Sequence, residues 1–475
     1  MKYAVNIGLE VHLQLSTKSK AFCSCSTQFG SSPNSQTCPV CLGLPGSLPV
    51  FNSEAFISAI KVALALNCKI AERMKFDRKN YYYPDLPKNF QISQYDKPLA
   101  KDGSLEVQTK EGIKKIDIRR VHLEEDAAKL FHEERYSLID YNRAGTPLLE
   151  IVSEPNISSP DEAHLYLTLL KSLLKYLDVS DCNMEEGSLR CDANISLRKE
   201  GSGNLGVKTE LKNMNSFKSV KNALDYEIKR QSSLLDEGEE VVQETLLWNA
   251  DKGITALMRS KEEAHDYRYF PEPDLAPFTI TKELIEDIRR KIPELPSNRR
   301  ARFVSQYGIP EYDASVLTQE KRMADFFEET AKLYSNPKGI SNWIMGDLSG
   351  ILNEKNISID ETRLSPVNLA KMVKMVDEDT ISIKIAKAIF PDMIDTGDSP
   401  ETTVKKKGLS QISNRDELEG IIAQVIKGNE KSVNDYKSGK KNALIFLVGQ
   451  VMKTTNGKAS PQIVNEILKN KLESE

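Results

Sequence analysis

Residues 5–15, VNIGLEVHLQL, restrict what this chain can fold into more than any other stretch, because their polarity alternates without a break. Val5, Ile7, Leu9, Val11, Leu13 and Leu15 are apolar, and Asn6, Gly8, Glu10, His12 and Gln14 lie between them. Successive side chains of a strand point to opposite faces, so the pattern specifies a strand with one face built for a core. The other face presents Glu10 beside His12. A polar face on a half-buried antiparallel strand ordinarily meets water, but two further stretches repeat the arrangement. Residues 188–198, SLRCDANISLR, alternate Leu189, Cys191, Ala193, Ile195 and Leu197 with Arg190, Asp192, Asn194, Ser196 and Arg198. Residues 206–213, GVKTELKN, set Val207, Thr209 and Leu211 against Lys208, Glu210 and Lys212. An acid flanked by Arg, Lys, His or amide groups on each of three strands reads as an anion and metal site, because a solvated face more often carries scattered Lys, Glu and Thr.

At 475 residues the chain exceeds what one core supports, which points to about three domains. A net charge of −4 excludes a uniformly basic nucleic-acid binder while leaving room for local basic surface. No apolar run reaches the roughly 18 residues of a membrane span. The chain runs straight into its first strand without a signal or transit segment, so a cytoplasmic protein away from membranes is expected. Of the seven cysteines, Cys23 and Cys25 form C-x-C, and Cys38 and Cys41 form C-x-x-C in the knuckle CPVCLG. Such a turn aims backbone amides at sulfur and suits tetrahedral zinc; four thiolates leave no open position, so the role is structural. Because the first pair is C-x-C, four unrelated reduced cysteines remain the alternative.

Ser53 is expected to cap a helix over residues 53–66. Residues 78–99, RKNYYYPDLPKNFQISQYDKPL, fit neither a helix nor an alternating strand. They read either as a functional loop whose aromatic rings stack on a base or as a packed connection. Residues 116–125 form a less tidy strand ending in Glu124, Glu125 and Asp126, of which one or two at most can face one partner. Residues 140–152 turn into an apolar strand carrying Arg143 and Glu150. Ser159 and Pro160 start a helix, and residues 215–231 give another that packs on the sheet. Residues 201–206, GSGNLG, spell G-x-G-x-x-G, but a strand follows where a phosphate site needs a helix, so they read as a hairpin loop. Residues 265–277, HDYRYFPEPDLAP, form a second aromatic and acidic loop. From Pro296 the periods are helical, with Ser365 and Pro366 opening a helix whose stripe is Leu369, Met372, Val373 and Val376. Residues 402–408, TTVKKKG, look like a linker. Residues 405–475 hold thirteen Lys or Arg against eight Asp or Glu, which is either a solvated surface or a surface for a polyanion of tRNA size. The expected architecture is α+β: a mainly antiparallel sheet cradle over residues 1–295, an all-α domain over 296–404 and a small helical tail over 405–475.

The segments IGLEVHLQL, CPVCLGLPGSLP, YYYPDLPKNFQISQYDKPL, HLEEDAAK, DYNRAGTPLLEIVSEP, SLRCDANIS, KTELKNMNSF, DYRYFPEPDL and VGQVMKTTNGKASPQIVNEIL together resemble the GatB family, one of the subunit families of the bacterial aspartyl/glutamyl-tRNA amidotransferases. The resemblance spans essentially the whole chain. There is no room before the tail for the extra domain of the related archaeal GatE proteins. It implies a cradle, a helical domain and a mobile tail that touches tRNA. It also implies an ATP-dependent repair of misacylated Glu-tRNA(Gln) or Asp-tRNA(Asn) with Mg²⁺, structural Zn²⁺ and ammonia from a partner. Carried over on the matching motifs, Glu10, His12, Glu125, Asp192 and Glu210 surround the metal or metals. His12 is either a ligand, a hydrogen-bond donor behind the ligands or a phosphate contact. The choice of Glu125 over Glu124 rests on the resemblance alone. Lys79 and Arg190 are candidates for phosphate contacts, and Cys23, Cys25, Cys38 and Cys41 for zinc. The chain has no Gly/Ser-rich amidase stretch and no cysteine in a glutaminase-like context. By itself it is therefore expected not to release ammonia from glutamine; the family's amidase GatA and small subunit GatC would complete a heterotrimer. Residues 126–129 read DAAK where DAGK is the commoner family form, a change that is tolerable unless the backbone there needs positive φ.

Overall fold

The computed structural model of the chain describes residues 3–260, 267–409, 415–455 and 459–474. It divides into two compact units, Met1–Leu295 and Pro296–Glu475. In the first unit the strands are, in chain order, β1 (Tyr3–Gln14), β2 (Lys69–Ile70), β3 (Arg73–Met74), β4 (Asp77–Asn80), β5 (Phe90–Ser93), β6 (Ala100–Thr109), β7 (Gly112–Glu125), β8 (Lys129–His132), β9 (Ser137–Asp140), β10 (Pro147–Ser153), β11 (Leu189–Lys199), β12 (Thr209–Lys212), β13 (Glu244–Asn249), β14 (Ile254–Ser260), β15 (Phe270–Pro271) and β16 (Phe278–Thr279). Nine of them form one sheet in the order β14-β13-β12-β11-β1-β10-β7-β6-β2. Within it only β12 and β13 pair parallel, so the sheet is mainly antiparallel, as the alternating stretches require. The fold class is α+β.

Strand β1 sits in the middle of this sheet because its apolar face is complete. Ile7, Leu9, Val11 and Leu13 are fully buried, and burial of each such side chain contributes about 2 kcal/mol. A slip of one residue against either neighbour would turn all of them outward, which fixes the register. Helices α1 (Ser53–Ala65), α2 (Pro160–Tyr176) and α3 (Phe217–Glu237) contribute Ile60, Leu64, Tyr166, Leu170, Val220 and Leu224 to the same core. The polar residues of β1 are thereby left on the uncovered side.

Local chemistry sets the helix starts. The Ser159 hydroxyl accepts from the Glu162 amide and Pro160 follows it, as expected. Helix α1 departs from expectation: Asn52, not Ser53, is its cap, with the Asn52 side chain accepting from the amides of Glu54 and Ala55. Residues 78–99 also differ from the loop reading. Strands β4 and β5 pair with each other, and β15 adds to the outer edge of β4. The pattern was unreadable because Pro84 and Pro87 interrupt it and because these short strands are held by β15, nearly 200 residues away. The strand expected from residue 206 begins at Thr209.

In the second unit, helices between Pro296 and Lys406 enclose a core that includes Phe303, Phe327, Ile340, Trp343, Leu369 and Phe390. The helix opened by Ser365 and Pro366 runs Pro366–Asp377 and buries Leu369, Met372 and Val373. Residues 402–408 are not a linker. They finish the helix Pro400–Lys406, because Ser399 caps it and Thr403 and Val404 are buried. Beyond them, the helices Arg415–Gly428, Asn442–Thr454 and Pro461–Ser474 enclose a separate core of Leu418, Ile422, Leu447, Val464 and Leu468. Among the described residues no helix is long and apolar enough to cross a membrane.

Candidate functional site

Directly opposed residues of antiparallel strands share a face, and the registers around β1 assemble the polar side of the sheet. Glu10 lies opposite Asp192 of β11, and His12 lies opposite Arg190 on one side and Glu150 of β10 on the other. Glu150 in turn faces His122 of β7, and Asn194 of β11 faces both Gly8 and Glu210 of β12. Four of the expected residues, Glu10, His12, Asp192 and Glu210, therefore meet on one surface. Asn194 Nδ2 donates to Glu10 Oε1 at 2.9 Å, and Thr245 Oγ1 donates to Glu210 Oε2 at 2.8 Å. Lys212 Nζ reaches Asp192 Oδ2 at 2.5 Å and Glu210 Oε1 at 3.0 Å. Among the described residues no cation lies within ion-pair distance of Glu10. Burial, followed by the neighbouring carboxylates of Glu150 and Glu210, raises its pKa above the usual carboxylate value.

His12 Nε2 stands 3.7 Å from Glu124 Oε1 and 3.8 Å from Glu150 Oε2. These separations are too long for hydrogen bonds. They fall between the edge of about 3.0 Å and the diagonal of about 4.2 Å of an octahedron with 2.1 Å metal–ligand distances, so the three groups can hold a small divalent cation. His122 Nε2, buried behind them, lies 3.0 Å from Glu150 Oε2. Burial alone would raise the pKa of Glu150, but His122, His12 and Arg120 outweigh it and hold this carboxyl well below its usual range.

Glu125, expected at the metal, points to the other side of β7. Its Oε1 accepts from Lys88 Nζ at 2.5 Å and from the Ile92 amide at 2.9 Å. It lines a cavity of about 190 Å³ with Lys20, Arg78, Cys23 and Cys41. The carboxylate turned toward His12 is Glu124. Arg190, expected on phosphate, donates from Nη2 to Asp126 Oδ2 at 2.8 Å, and the same oxygen accepts from Gln14 Nε2 at 2.6 Å. Lys79 Nζ stands over the rings of Tyr267 and Tyr81, 4.8 and 5.7 Å from their centroids. The two aromatic segments pack on each other, Tyr95 lying flat on Tyr269 with centroids 4.2 Å apart. Burial, with Glu124 among the nearby charges, pushes the hydroxyls of Tyr81 and Tyr269 upward. His265 and Asp266 lie outside the described residues.

The sulfurs of Cys23, Cys25, Cys38 and Cys41 all lie within 4.8 Å of one another. Cys38 Sγ and Cys41 Sγ are 3.9 Å apart, close to the roughly 3.8 Å edge of a tetrahedron with 2.3 Å metal–sulfur bonds. Contact with Cys23, aided by the Cys38 amide and the Lys20 ammonium and opposed by burial, lowers the Cys41 thiol to about 4. This donor set can hold a metal ion such as zinc.

Residues 5–286 match the family model described as the GatB/GatE catalytic domain, which covers more than half of the chain, and residues 325–472 match the GatB domain. The chain belongs to the GatB/GatE family. It is similar along its length to curated proteins named as a subunit of aspartyl/glutamyl-tRNA(Asn/Gln) amidotransferase. That of Thermoanaerobacter pseudethanolicus is 58% identical over 99% of this chain and 100% of its own. Those of Carboxydothermus hydrogenoformans, 56% identical over 99% of each chain, and Thermodesulfovibrio yellowstonii, 52% identical over 98% of this chain and 99% of its own, are alike.

Within this GatB/GatE catalytic domain, sequence reasoning left Glu124, His122, Asp126 and Thr245 unassigned and noted Glu150 without a role. Phase along β7 could have found Glu124: Val121 and Leu123 are buried in the core, so His122 and Glu124 face the other way and Glu125 does not. Ala128, at the Gly position of the family's commoner DAGK, is not among the residues with positive φ, so the methyl group is accepted without backbone strain.

Proposed function

We propose that this chain is the ATP-using GatB component of an aspartyl/glutamyl-tRNA amidotransferase that repairs misacylated Glu-tRNA(Gln), Asp-tRNA(Asn) or both. One observation carries the reading: Glu150, Glu10, Asp192 and Glu210 stand on four adjacent strands of one sheet face, with Lys212 touching only the last two. A surface so rich in carboxylate suits a reaction between two anions, in which divalent cations must offset charge. The relatives' shared name over the full length supports the same reading.

In the proposed reaction an oxygen of the aminoacyl side-chain carboxylate attacks the γ-phosphorus of ATP, giving an acyl phosphate and releasing ADP. Ammonia then attacks the acyl carbon, inorganic phosphate leaves, and the amide remains. A carboxylate resists direct amidation because its leaving group would be oxide; phosphorylation removes that obstacle. His12, Glu124 and Glu150 would hold Mg²⁺, with Glu10, Asp192 and Glu210 around it. Such an ion supplies charge neutralisation and orients the phosphate oxygens. Lys212 keeps Asp192 and Glu210 in place, Asn194 fixes Glu10, and Thr245 fixes Glu210. The packed rings of Tyr81, Tyr267 and Tyr269 would limit water around Lys79. The four cysteines would hold structural Zn²⁺. Ammonia would come from the amidase subunit GatA, joined by GatC in a cytoplasmic heterotrimer, and the basic tail over residues 405–475 would contact the tRNA.

The test is ADP formation by the chain reconstituted with its amidase and small subunits in Mg²⁺, with Glu-tRNA(Gln) or uncharged tRNA. Charged tRNA should stimulate ADP formation, and Asp192→Asn should abolish it while tRNA binding persists. Equal ADP formation without the aminoacyl group, or full activity in the variant, would make the chain a tRNA-holding scaffold instead.

A further inference from the structure

Most cations on the polar face are already engaged. Arg190 is paired with Asp126, Lys212 bridges Asp192 and Glu210, and Lys79 stacks over tyrosine rings. Arg120 is different. Among the described residues its side chain forms no hydrogen bond or ion pair, and its Nε is buried without a partner. The Nε atoms of Arg190 and Arg299 are unbonded too, but those guanidinium groups are paired through their other nitrogens; a partly buried guanidinium with no bond at all calls for a ligand.

A local irregularity places this residue. Ile116 and Ile118 of β7 are buried in the core, and unbroken alternation would send Arg120 the same way. Between Val152 and Ser153 of β10 the register instead jumps from Arg120 to Ile118, so β7 bulges at Arg119. Beyond the bulge Val121 and Leu123 are the inward residues, and Arg120 joins His122 and Glu124 on the polar face. Bulges often re-aim a side chain beside an active site. Arg119, the extra residue, is bound to Glu154 at 2.8 Å and is mostly exposed. Arg120 lies opposite Val152, which itself lies opposite Glu10, and it flanks the Glu150–His122 pair along the strands. It therefore borders the cluster of His12, Glu124 and Glu150.

We propose that Arg120 receives an oxyanion of the reacting groups and holds it beside the cation seat of His12, Glu124 and Glu150. This rests on the proposed reaction. The guanidinium fork presents two parallel donors to a carboxylate or a phosphate, so the oxyanion is either the acceptor carboxylate of the charged tRNA or the terminal phosphate of ATP.

The test compares wild type, Arg120→Gln and Arg120→Lys in the reconstituted complex. It reads kcat, KM for Glu-tRNA(Gln), KM for ATP, equilibrium binding of a fluorescent ATP analogue and melting temperature. Arg120→Gln should lower kcat/KM about 10- to 100-fold, the range for losing a charge-assisted hydrogen-bond pair. Arg120→Lys should recover part of that loss, since it keeps the charge but not the fork. A rise confined to the KM for Glu-tRNA(Gln) assigns the carboxylate; weakened ATP-analogue binding assigns the phosphate. The proposal is overturned if Arg120→Gln stays within twofold of wild type in every constant. It is equally overturned if both variants lose activity only in step with a lowered melting temperature. A wild-type complex that makes no ADP from charged tRNA would instead sink the proposed reaction, which keeps the two failures apart.

Discussion

Replacing Asp126 by Asn should destabilise the first unit, and the loss should vanish in acid. Asp126 is 3% exposed, and its Oδ2 accepts from Arg190 at 2.8 Å and Gln14 at 2.6 Å, with Arg143 Nε 3.8 Å away. It joins the end of β7 to β1 and β11, the strands that carry Glu10 and Asp192. Removing one member of a buried ion pair costs about 3–5 kcal/mol. Arg190 is 36% exposed and can regain water, so a smaller loss of about 2 kcal/mol is expected for the isosteric Asn. For a unit of this size that is a fall of about 4 °C in melting temperature. The Asp126→Asn, Arg190→Met double variant should recover about half, because no charge is then left unpaired. The sign with pH follows from the carboxyl itself. Burial acts to raise its pKa, but Arg190, Arg143 and Gln14 outweigh burial and hold it below the ordinary aspartate value. A depressed folded-state pKa contributes stability that is complete above the unfolded value and disappears as pH falls through the folded one. The gap between wild type and variant should thus be constant from about pH 5 to 8 and narrow below about pH 4. Urea midpoints followed by circular dichroism at pH 7 and 3.5 would measure it. An equal gap at both values, or additive single and double variants, would refute the argument that one charge pair ties these strands together.

Two other perturbations test separate parts of the same unit. A Cβ built on Gly206 would lie 1.9 Å from the Leu197 carbonyl oxygen, so Gly206→Ala should cost about 3 kcal/mol; an unchanged urea midpoint would remove the close hairpin approach from the account. Lys20 is 1% exposed, with Nζ 3.7 Å from Cys41 Sγ and 3.2 Å from the Tyr141 carbonyl oxygen. A tetrathiolate metal centre carries excess negative charge that this ammonium would offset, so Lys20→Met should speed zinc release to a chromogenic chelator several-fold and Cys41→Ser should lose the metal outright. Zinc content and release unchanged in both variants would mean that the cluster is not a metal centre.

Alternation told which residues of β1 and β11 share a face, since Ile7, Leu9, Val11 and Leu13 bury as their spacing demands. It could not tell which strands would stand beside them. Strand β1 pairs with β10 and β11, well over a hundred residues away, and that register alone brings Glu150 opposite His12. Residue 150 was visible in the sequence, but nothing local ranked it above any other glutamate. The error at Glu125 is of another kind. In β7 the buried positions change phase between Ile118 and Val121, which two consecutive arginines conceal because both are outwardly polar. Reading backwards from Asp126, or forwards from Ile116 without the bulge, gives opposite answers for which of Glu124 and Glu125 faces away from the core. A strand whose core period breaks at a charged pair is the signature of a bulge, and here the bulge both sends Glu124 to the cation cluster and leaves Arg120 unpaired beside it. Which of Glu124 and Glu125 faces the cluster, a choice that rested on the resemblance, and the exposure of Arg120 beside it are therefore two consequences of one inserted residue, Arg119. Because Ser153 and Val152 already face Ile118 and Arg120, deleting Arg119 should close the bulge against β10 and leave Arg120 and Glu124 on the polar face.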